Sequence, residues 1–379
     1  MSVTEQPAAE QVRILGPDGV LAPTPAAEEF LPFVEHIPVS DVEAMYRDMV
    51  RVRHFDREGT HLQRQGQLAL YVPAEGQEAA QIGSAYAMRP QDAIFPSYRE
   101  HGVGLVRGTD LVDVLRVFRG ATNSGWSAEG TGFRPYTLVI GSQTLHATGY
   151  AMGQRYDGVV GTGDPERDEA TIVYFGDGAT SQGDTNEAFI FATSYQTPQL
   201  FFLQNNHWAI SVPVETQSRT PLYKRAAGFG LPSTQIDGND LFASYAVSRK
   251  HLEDVRAGHG PAFIEAVTYR MGAHTTSDDP TKYRTRDEEE SWRRRDPIAR
   301  VTAWLMAQGA GDEFFATVEE EAKDFASDIR RRLLAAADPV PTAMFDHVYS
   351  EPHAALAAQR EWFERYEASF GAASTEANA

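Results

Sequence analysis

Two uninterrupted apolar runs, each closed by a small polar signature, limit what this chain can fold into more than any other feature of it. Thr171-Ile172-Val173-Tyr174-Phe175 leads into Gly176-Asp177-Gly178, and Gln199-Leu200-Phe201-Phe202-Leu203 leads through Gln204 into Asn205-Asn206. A strand that is apolar at nearly every position has no face to turn to water, so it belongs in a parallel sheet covered on both sides. Between the runs, residues 185–195 carry helical spacing. A strand, a helix and a second strand of this length make a right-handed crossover that returns the chain to the same edge of the sheet. Asp177 and Asn206 then stand together at carboxyl ends of strands, where open α/β sheets place their ligands.

The flanking pattern agrees with an α/β architecture. A third short strand is expected over 233–236, a helix over 241–257 and a strand over 262–269. Upstream, a helix begins after Pro38 with a cap at Ser40, and apolar residues recur at Val42, Met45, Met49, Val50 and Val52. Residues 78–88 have the same amphipathic look, 95–102 read as a loop, and a further helix starts near Thr109. The chain therefore divides into an arm over 1–38, a main α/β domain over 39–349 that turns helical from about 296, and a terminal helix over 350–379. The arm is rich in Ala, Pro and Glu and is expected to be mobile. A loop is expected over 337–341, and fraying from Gly371.

Composition removes several classes of function. A net charge of −19 leaves no broad basic surface for nucleic acid. With no cysteine in 379 residues, disulfides, thiolate zinc sites and cysteine nucleophiles are all excluded. No apolar stretch is long enough to span a bilayer, and the N-terminus resembles neither a secretory signal nor a transit peptide. A soluble, cytoplasmic protein is the expectation.

One carboxylate, one side-chain amide and a nearby backbone carbonyl are hard oxygen donors suited to magnesium or calcium. Three such donors leave octahedral positions for phosphate oxygens and water, and a single carboxylate suffices when a diphosphate brings its own charge. Gly176 and Gly178 allow close backbone approach, and amides opening the helical turn after Gly178 can face a phosphate. A metal-dependent phosphohydrolase on the same sheet would need more carboxylates at strand ends than the sequence offers.

Taken together, Gly176-Asp177-Gly178 and Asn205-Asn206 resemble the thiamine-diphosphate signature of transketolase-like enzymes. The run from Tyr174 through Gly183-Asp184 is similar, more narrowly, to the α subunit of the decarboxylating component of 2-oxo-acid dehydrogenase complexes. The resemblance covers about 39–349 and includes Tyr98-Arg99-Glu100, Asn205-Asn206-His207-Trp208-Ala209-Ile210-Ser211, and the stretch from Tyr269-Arg270 to His274-Thr275-Thr276-Ser277-Asp278-Asp279. It implies a thiamine-diphosphate-binding fold, a parallel sheet flanked by helices. Asp177, the Asn206 side chain and the Trp208 carbonyl match the family's Mg2+ ligands. Gly176, Gly178 and Ala179 match its backbone contacts to the diphosphate, and Tyr98 and Arg99 its phosphate-holding loop. Ser142 and Thr144 match a segment whose backbone meets the aminopyrimidine ring. His274 matches the histidine beside the reacting carbon, and a pKa near ~6.5 would suit a proton role there. Arg270, Asp278, Tyr283 and Arg284 match residues that order that loop.

Three departures accompany the resemblance. Gln204 stands where the family often has Arg, which takes away a phosphate contact. His146 and Ala147 replace the Thr and Gln of a potassium site, so that site is expected to be absent. Trp208 replaces a common Tyr, though only its backbone is required. The glutamate that activates thiamine lies, in two-chain members, on a separate β subunit. The resemblance thus implies an α2β2 heterotetramer, a lipoyl-bearing acyltransferase as acceptor, and oxidative decarboxylation of a 2-oxo acid. Arg64-Gln65-Gly66-Gln67 with Leu68 to Tyr71 leans towards branched-chain substrates, with pyruvate second and acetoin third. A cofactor-free scaffold subunit is the non-enzymatic alternative; it predicts loss of Asp177, Asn206 or His274, and all three are present.

Overall fold

The two apolar runs form the middle of a five-stranded parallel sheet. A computed structural model describes residues 10–122, 125–337 and 340–376, of which 371–376 by backbone alone. Its strands are β1 (Ala93–Phe95), β2 (Thr171–Gly176), β3 (Gln199–Asn205), the short β4 (Trp208–Ala209) and β5 (Val212–Pro213), β6 (Ser233–Asp237) and β7 (Ala262–Val267). The sheet runs β1-β2-β3-β7-β6, every neighbouring pair parallel, while β4 and β5 make a separate antiparallel hairpin.

Alternation along the strands explains why both faces are covered. Ile172, Tyr174, Leu200, Phe202 and Ile264 point into one core, shared with α1 (Val39–Arg64), α2 (Glu78–Tyr86) and the helix Leu241–Arg256. Val173, Phe175, Phe201, Leu203 and Phe263 point into the other, shared with α5 (Ser142–Tyr156) and α6 (Gly183–Tyr195). Between α2 and α5 lie α3 (His101–Val106) and α4 (Leu111–Arg119). Among the described residues no helix is long and apolar enough to cross a membrane.

Several boundaries differ from the sequence expectation. The helix after Pro38 takes Pro38 itself as N-cap, and Ser40 lies inside its first turn. Strand β1 falls partly in what reads as a loop, because three residues are too few to show a period. Residues 1–9 of the expected arm lie outside the described residues. From Gln11 onward the arm is packed: Val12, Ile14, Leu15, Ala27 and Phe30 are buried, and Val12 pairs in parallel with Ile236 on the edge of β6. That pairing covers an otherwise open sheet edge.

The chain forms two compact units, 1–334 and 335–379. The first unit ends in the helices expected from about 296, Pro297–Ala307 and most of Asp312–Ala335. The second unit contains a 3-10 turn (Pro341–Phe345) and a helix (Ala354–Glu376), with the Phe345 and Phe363 rings 5.7 Å apart. Positions 338–339 of the expected loop lie outside the described residues. So do 377–379 of the expected tail, whereas the helix backbone continues past Gly371 to Glu376.

Candidate cofactor site

Register brings the two signatures side by side. Gly176 at the end of β2 is paired with Gln204 of β3, so Asp177 and Asn206 leave the same carboxyl edge. Beyond Gly176 the chain tightens into a 3-10 turn (Asp177–Ser181), closed by the Thr180 hydroxyl donating to the Asp177 carbonyl at 2.7 Å. The Asp177 side chain is 1% exposed, and its Oδ2 accepts from the Gln217 amide at 2.9 Å. Burial pushes its carboxyl up to about 6, against the smaller lowering effect of Gln217. A buried carboxylate with a neutral amide as its side-chain partner is well suited to a cation.

After β3 the backbone turns sharply. His207 has φ 71° and Ile210 φ 57°, left-handed values that a β-branched residue adopts only under constraint. The constraint is local: Asn205 Oδ1 accepts from the His207 amide at 3.1 Å and Asn206 Oδ1 from the Trp208 amide at 3.2 Å. Asn206 Nδ2 donates to Gln77 Oε1 at 3.3 Å, which turns Oδ1 the other way. The Trp208 carbonyl accepts from Arg270 at 3.0 Å, and a carbonyl keeps a second lone pair for another partner.

Tyr98, Arg99 and His274 also converge. Arg99 is 5% exposed; it donates to the Pro73 carbonyl and, at 3.0 Å, to the His274 carbonyl. The Tyr98 and His274 rings meet edge-on at 6.3 Å. His274 Nδ1 faces both Arg99 and Arg270 at 3.3 Å. Burial, then these two guanidinium groups, push the His274 imidazole down to about 3. The ring is therefore neutral where the sequence suggested an ordinary histidine, and it could carry a proton only with negative charge added beside it.

The loop holding His274 is tied by the expected residues. The Tyr283 hydroxyl donates to Asp278 Oδ2 at 2.5 Å, the His274 amide donates to the same oxygen at 2.9 Å, and Arg270 donates to the Tyr283 hydroxyl at 2.8 Å. Arg284 donates to the carbonyls of Arg270 and Met271.

These groups line one cavity of about 260 Å3, which takes in Tyr98, Arg99, Gly176, Asp177, Gly178, Ala179, Asn206, Trp208 and His274. No atom lies within 4 Å of where a Cβ would stand on Gly176, so glycine leaves room for a ligand there. A Cβ on Gly178 would lie 2.9 Å from that of Ala209. Ser142 and Thr144 do not line the cavity. They sit in the first turn of α5, the Thr144 hydroxyl donating to the Gly141 carbonyl at 2.6 Å, and the segment faces the cavity through Ile140, Gly141 and Gln143.

Gln204 lines the cavity as a neutral group, donating to Glu100 at 2.7 Å and accepting from Gln81 at 3.1 Å. Gln77, Gln143 and Gln217 are site residues that sequence reasoning missed, and no local signal marks them. Among the described residues no three His, Cys, Asp or Glu side chains cluster as a metal site. The donor set fits one hard divalent ion shared with a ligand that brings its own anionic oxygens.

The pattern of the Dehydrogenase E1 component family matches residues 46–346. The chain is 43% identical over 355 residues to the 3-methyl-2-oxobutanoate dehydrogenase subunit alpha of Mycobacterium tuberculosis, covering 93% of each protein. It is 38% identical over 334 residues to the pyruvate dehydrogenase E1 component subunit alpha of Acholeplasma laidlawii, covering 87% of this chain and 94% of that one. To the protein of the same description from Staphylococcus epidermidis it is 35% identical over 364 residues, 94% of each.

Proposed function

This chain belongs to the Dehydrogenase E1 component family as an alpha-type subunit of a 2-oxo-acid dehydrogenase, and on that premise we propose which residues hold the cofactor and which acid it serves. Asp177, the Asn206 side chain and the Trp208 carbonyl would hold one Mg2+ ion and, through it, the diphosphate of thiamine diphosphate. The observation that carries this reading is the buried Asp177 carboxylate leaving the same sheet edge as Asn206. When bound, thiamine diphosphate supplies the electron sink for decarboxylation. Backbone amides of Gly178 and Ala179, with Arg99, face the phosphate oxygens. His274 stands beside Arg99 and Arg270 as a neutral ring, placed to hold or pass a proton once an anion offsets those two cations.

The substrate we assign is a branched-chain 2-oxo acid, with pyruvate second and acetoin third. The 64–71 segment supports that order, as does the higher identity to the relative named for 3-methyl-2-oxobutanoate. A β subunit completes an α2β2 enzyme and contributes the activating glutamate, and a lipoyl-bearing acyltransferase takes the acyl unit. Turnover of 2-oxoisovalerate and of pyruvate by the co-purified α and β chains, with thiamine diphosphate, Mg2+ and an artificial electron acceptor, tests this. A kcat/KM about tenfold or more higher for 2-oxoisovalerate is expected, worth about 1.4 kcal/mol of discrimination. Preference for pyruvate would overturn the substrate assignment, and no turnover of any 2-oxo acid would overturn the function.

A further inference from the structure

A second cavity, of about 290 Å3, borders the loop that carries His274 and shares no lining residue with the cofactor cavity. One wall is α1, which presents Arg57, His61 and Arg64 at helical spacing, so that the three side chains share one face. Another wall is the loop itself, through Gly272, Ala273 and Thr275. The acids of the cavity are engaged. Asp56 accepts from the Tyr71 hydroxyl at 2.7 Å and the Ala74 amide at 2.8 Å, and burial pushes its carboxyl up to about 8, leaving it uncharged at neutral pH. Glu75 pairs with Arg293 at 3.5 Å, and Asp278 accepts from Tyr283 and from the His274 amide. The donors are not engaged. Among the described residues the side chains of Arg57, His61 and Arg64 have no hydrogen bond or ion pair, in a chain with 53 acidic residues to 34 basic ones. Nor do the amides of Gly272, Ala273 and Thr275 donate to any described group. A helix C-terminus favours cations in its last turn, which accounts for His61 and Arg64. Arg57 stands two turns before the end of α1, outside that reach.

We propose that this cavity binds a small-molecule oxyanion, a carboxylate or a phosphate, between Arg57, His61 and Arg64 of α1 and the amides of the 272–275 loop, and that the bound anion fastens the loop to α1. Guanidinium forks match the oxygens of both kinds of anion, and an imidazole offers an N–H whether charged or neutral. Main-chain amides add donors that neither pH nor salt removes. An anion held in this way ties the segment on either side of His274 to a long helix. Occupancy of the second cavity therefore restrains the backbone from which His274 reaches the first. The site is built from residues that hold neither metal nor cofactor, so it stands apart from the function proposed above.

The test is amide hydrogen exchange over the 272–276 segment of the co-purified α–β complex, with thiamine diphosphate and Mg2+ present throughout so that the cofactor cavity is filled. Inorganic phosphate and succinate are titrated separately, each against chloride at the same ionic strength. One anion or both should slow exchange of the segment about tenfold at saturation, and which of them does so identifies the ligand's anionic group. Half-saturation should require at least tenfold more anion in Arg57→Gln and in Arg64→Gln, the loss expected of a charge-assisted hydrogen bond. Thermal denaturation checks that both variants fold. No slowing by either anion, the result if side chains of the β chain already hold the arginines, would overturn the proposal. So would slowing that chloride reproduces, or slowing that persists unchanged in both variants.

Discussion

Asp177, which we propose as a metal ligand, shows how a buried carboxylate is held at a cost to the fold. Its carboxylate is buried beside a neutral glutamine amide, and burial holds its pKa near 6. Because this folded-state value lies above the unfolded one, ionisation at neutral pH opposes folding. Asp177→Asn removes the charge with little change of shape. It should stabilise the chain without cofactor by about 1–3 kcal/mol while abolishing metal-dependent binding. Thermal denaturation at pH 7.5 checks the first half; a lower Tm would mean that the carboxylate is stabilised by its surroundings. Asp177, Asn206 and their glycines were legible in the sequence because each follows a continuous apolar run, which tells where a strand must end. Gln77 and Gln143 were not. Their roles depend on which backbone or side-chain group happens to face each amide, and that is decided by residues 129 and 31 positions away. Ser142 and Thr144 were assigned for their backbone, and the structure adds that Gln143 between them is the side chain facing the cavity.

Among the elements, the N-terminal segment shows where composition misleads. Its Ala, Pro and Glu content reads as a mobile arm, yet a few well-spaced apolar residues suffice to dock it. Asp240 is the link. Its Oδ1 caps the helix Leu241–Arg256 by accepting from the amides of Phe242 and Ala243, and its Oδ2 accepts from the amides of Ile14 and Leu15 at 2.6 and 2.8 Å. Deleting residues 1–22 would expose the β6 edge, remove Val12, Ile14 and Leu15 from the core, and strip two donors from a buried carboxylate. A loss of roughly 3–6 kcal/mol is expected, read by urea denaturation. An unchanged midpoint would show that the segment's packing contributes nothing. The long strands and helices of the sheet were readable to within two residues or so, since each carries several periods of its pattern. Strand β1, with three residues, is defined by its neighbour β2 and by a bridge from Ile94 to Phe133 on its other side, and by nothing local.

At the scale of the whole molecule, buried histidines shape the response to acid. His251 is pushed down to about 4, mainly by burial with Lys250 adding, and His101 to about 4 by burial. Both folded values lie below the unfolded ~6.5, so stability is fully present above that pH. It is lost as pH falls from 6.5 towards 4, by at most about 1.4 kcal/mol per pH unit for each histidine. Asp56, raised to about 8 by burial, acts in the opposite sense, so the comparison must be between variants. His251→Gln should lose less stability than wild type between pH 7 and 5, as measured by Tm; an equal loss would contradict the assignment. The larger claim is that this chain carries half of an active site, the half that binds metal and diphosphate. Calorimetric titration of thiamine diphosphate into the α–β complex, with and without Mg2+, tests it in wild type and in Asp177→Asn. The account predicts saturable binding that requires Mg2+ in wild type and none in the variant. Binding of equal strength without the metal, or undiminished by Asp177→Asn, would contradict it.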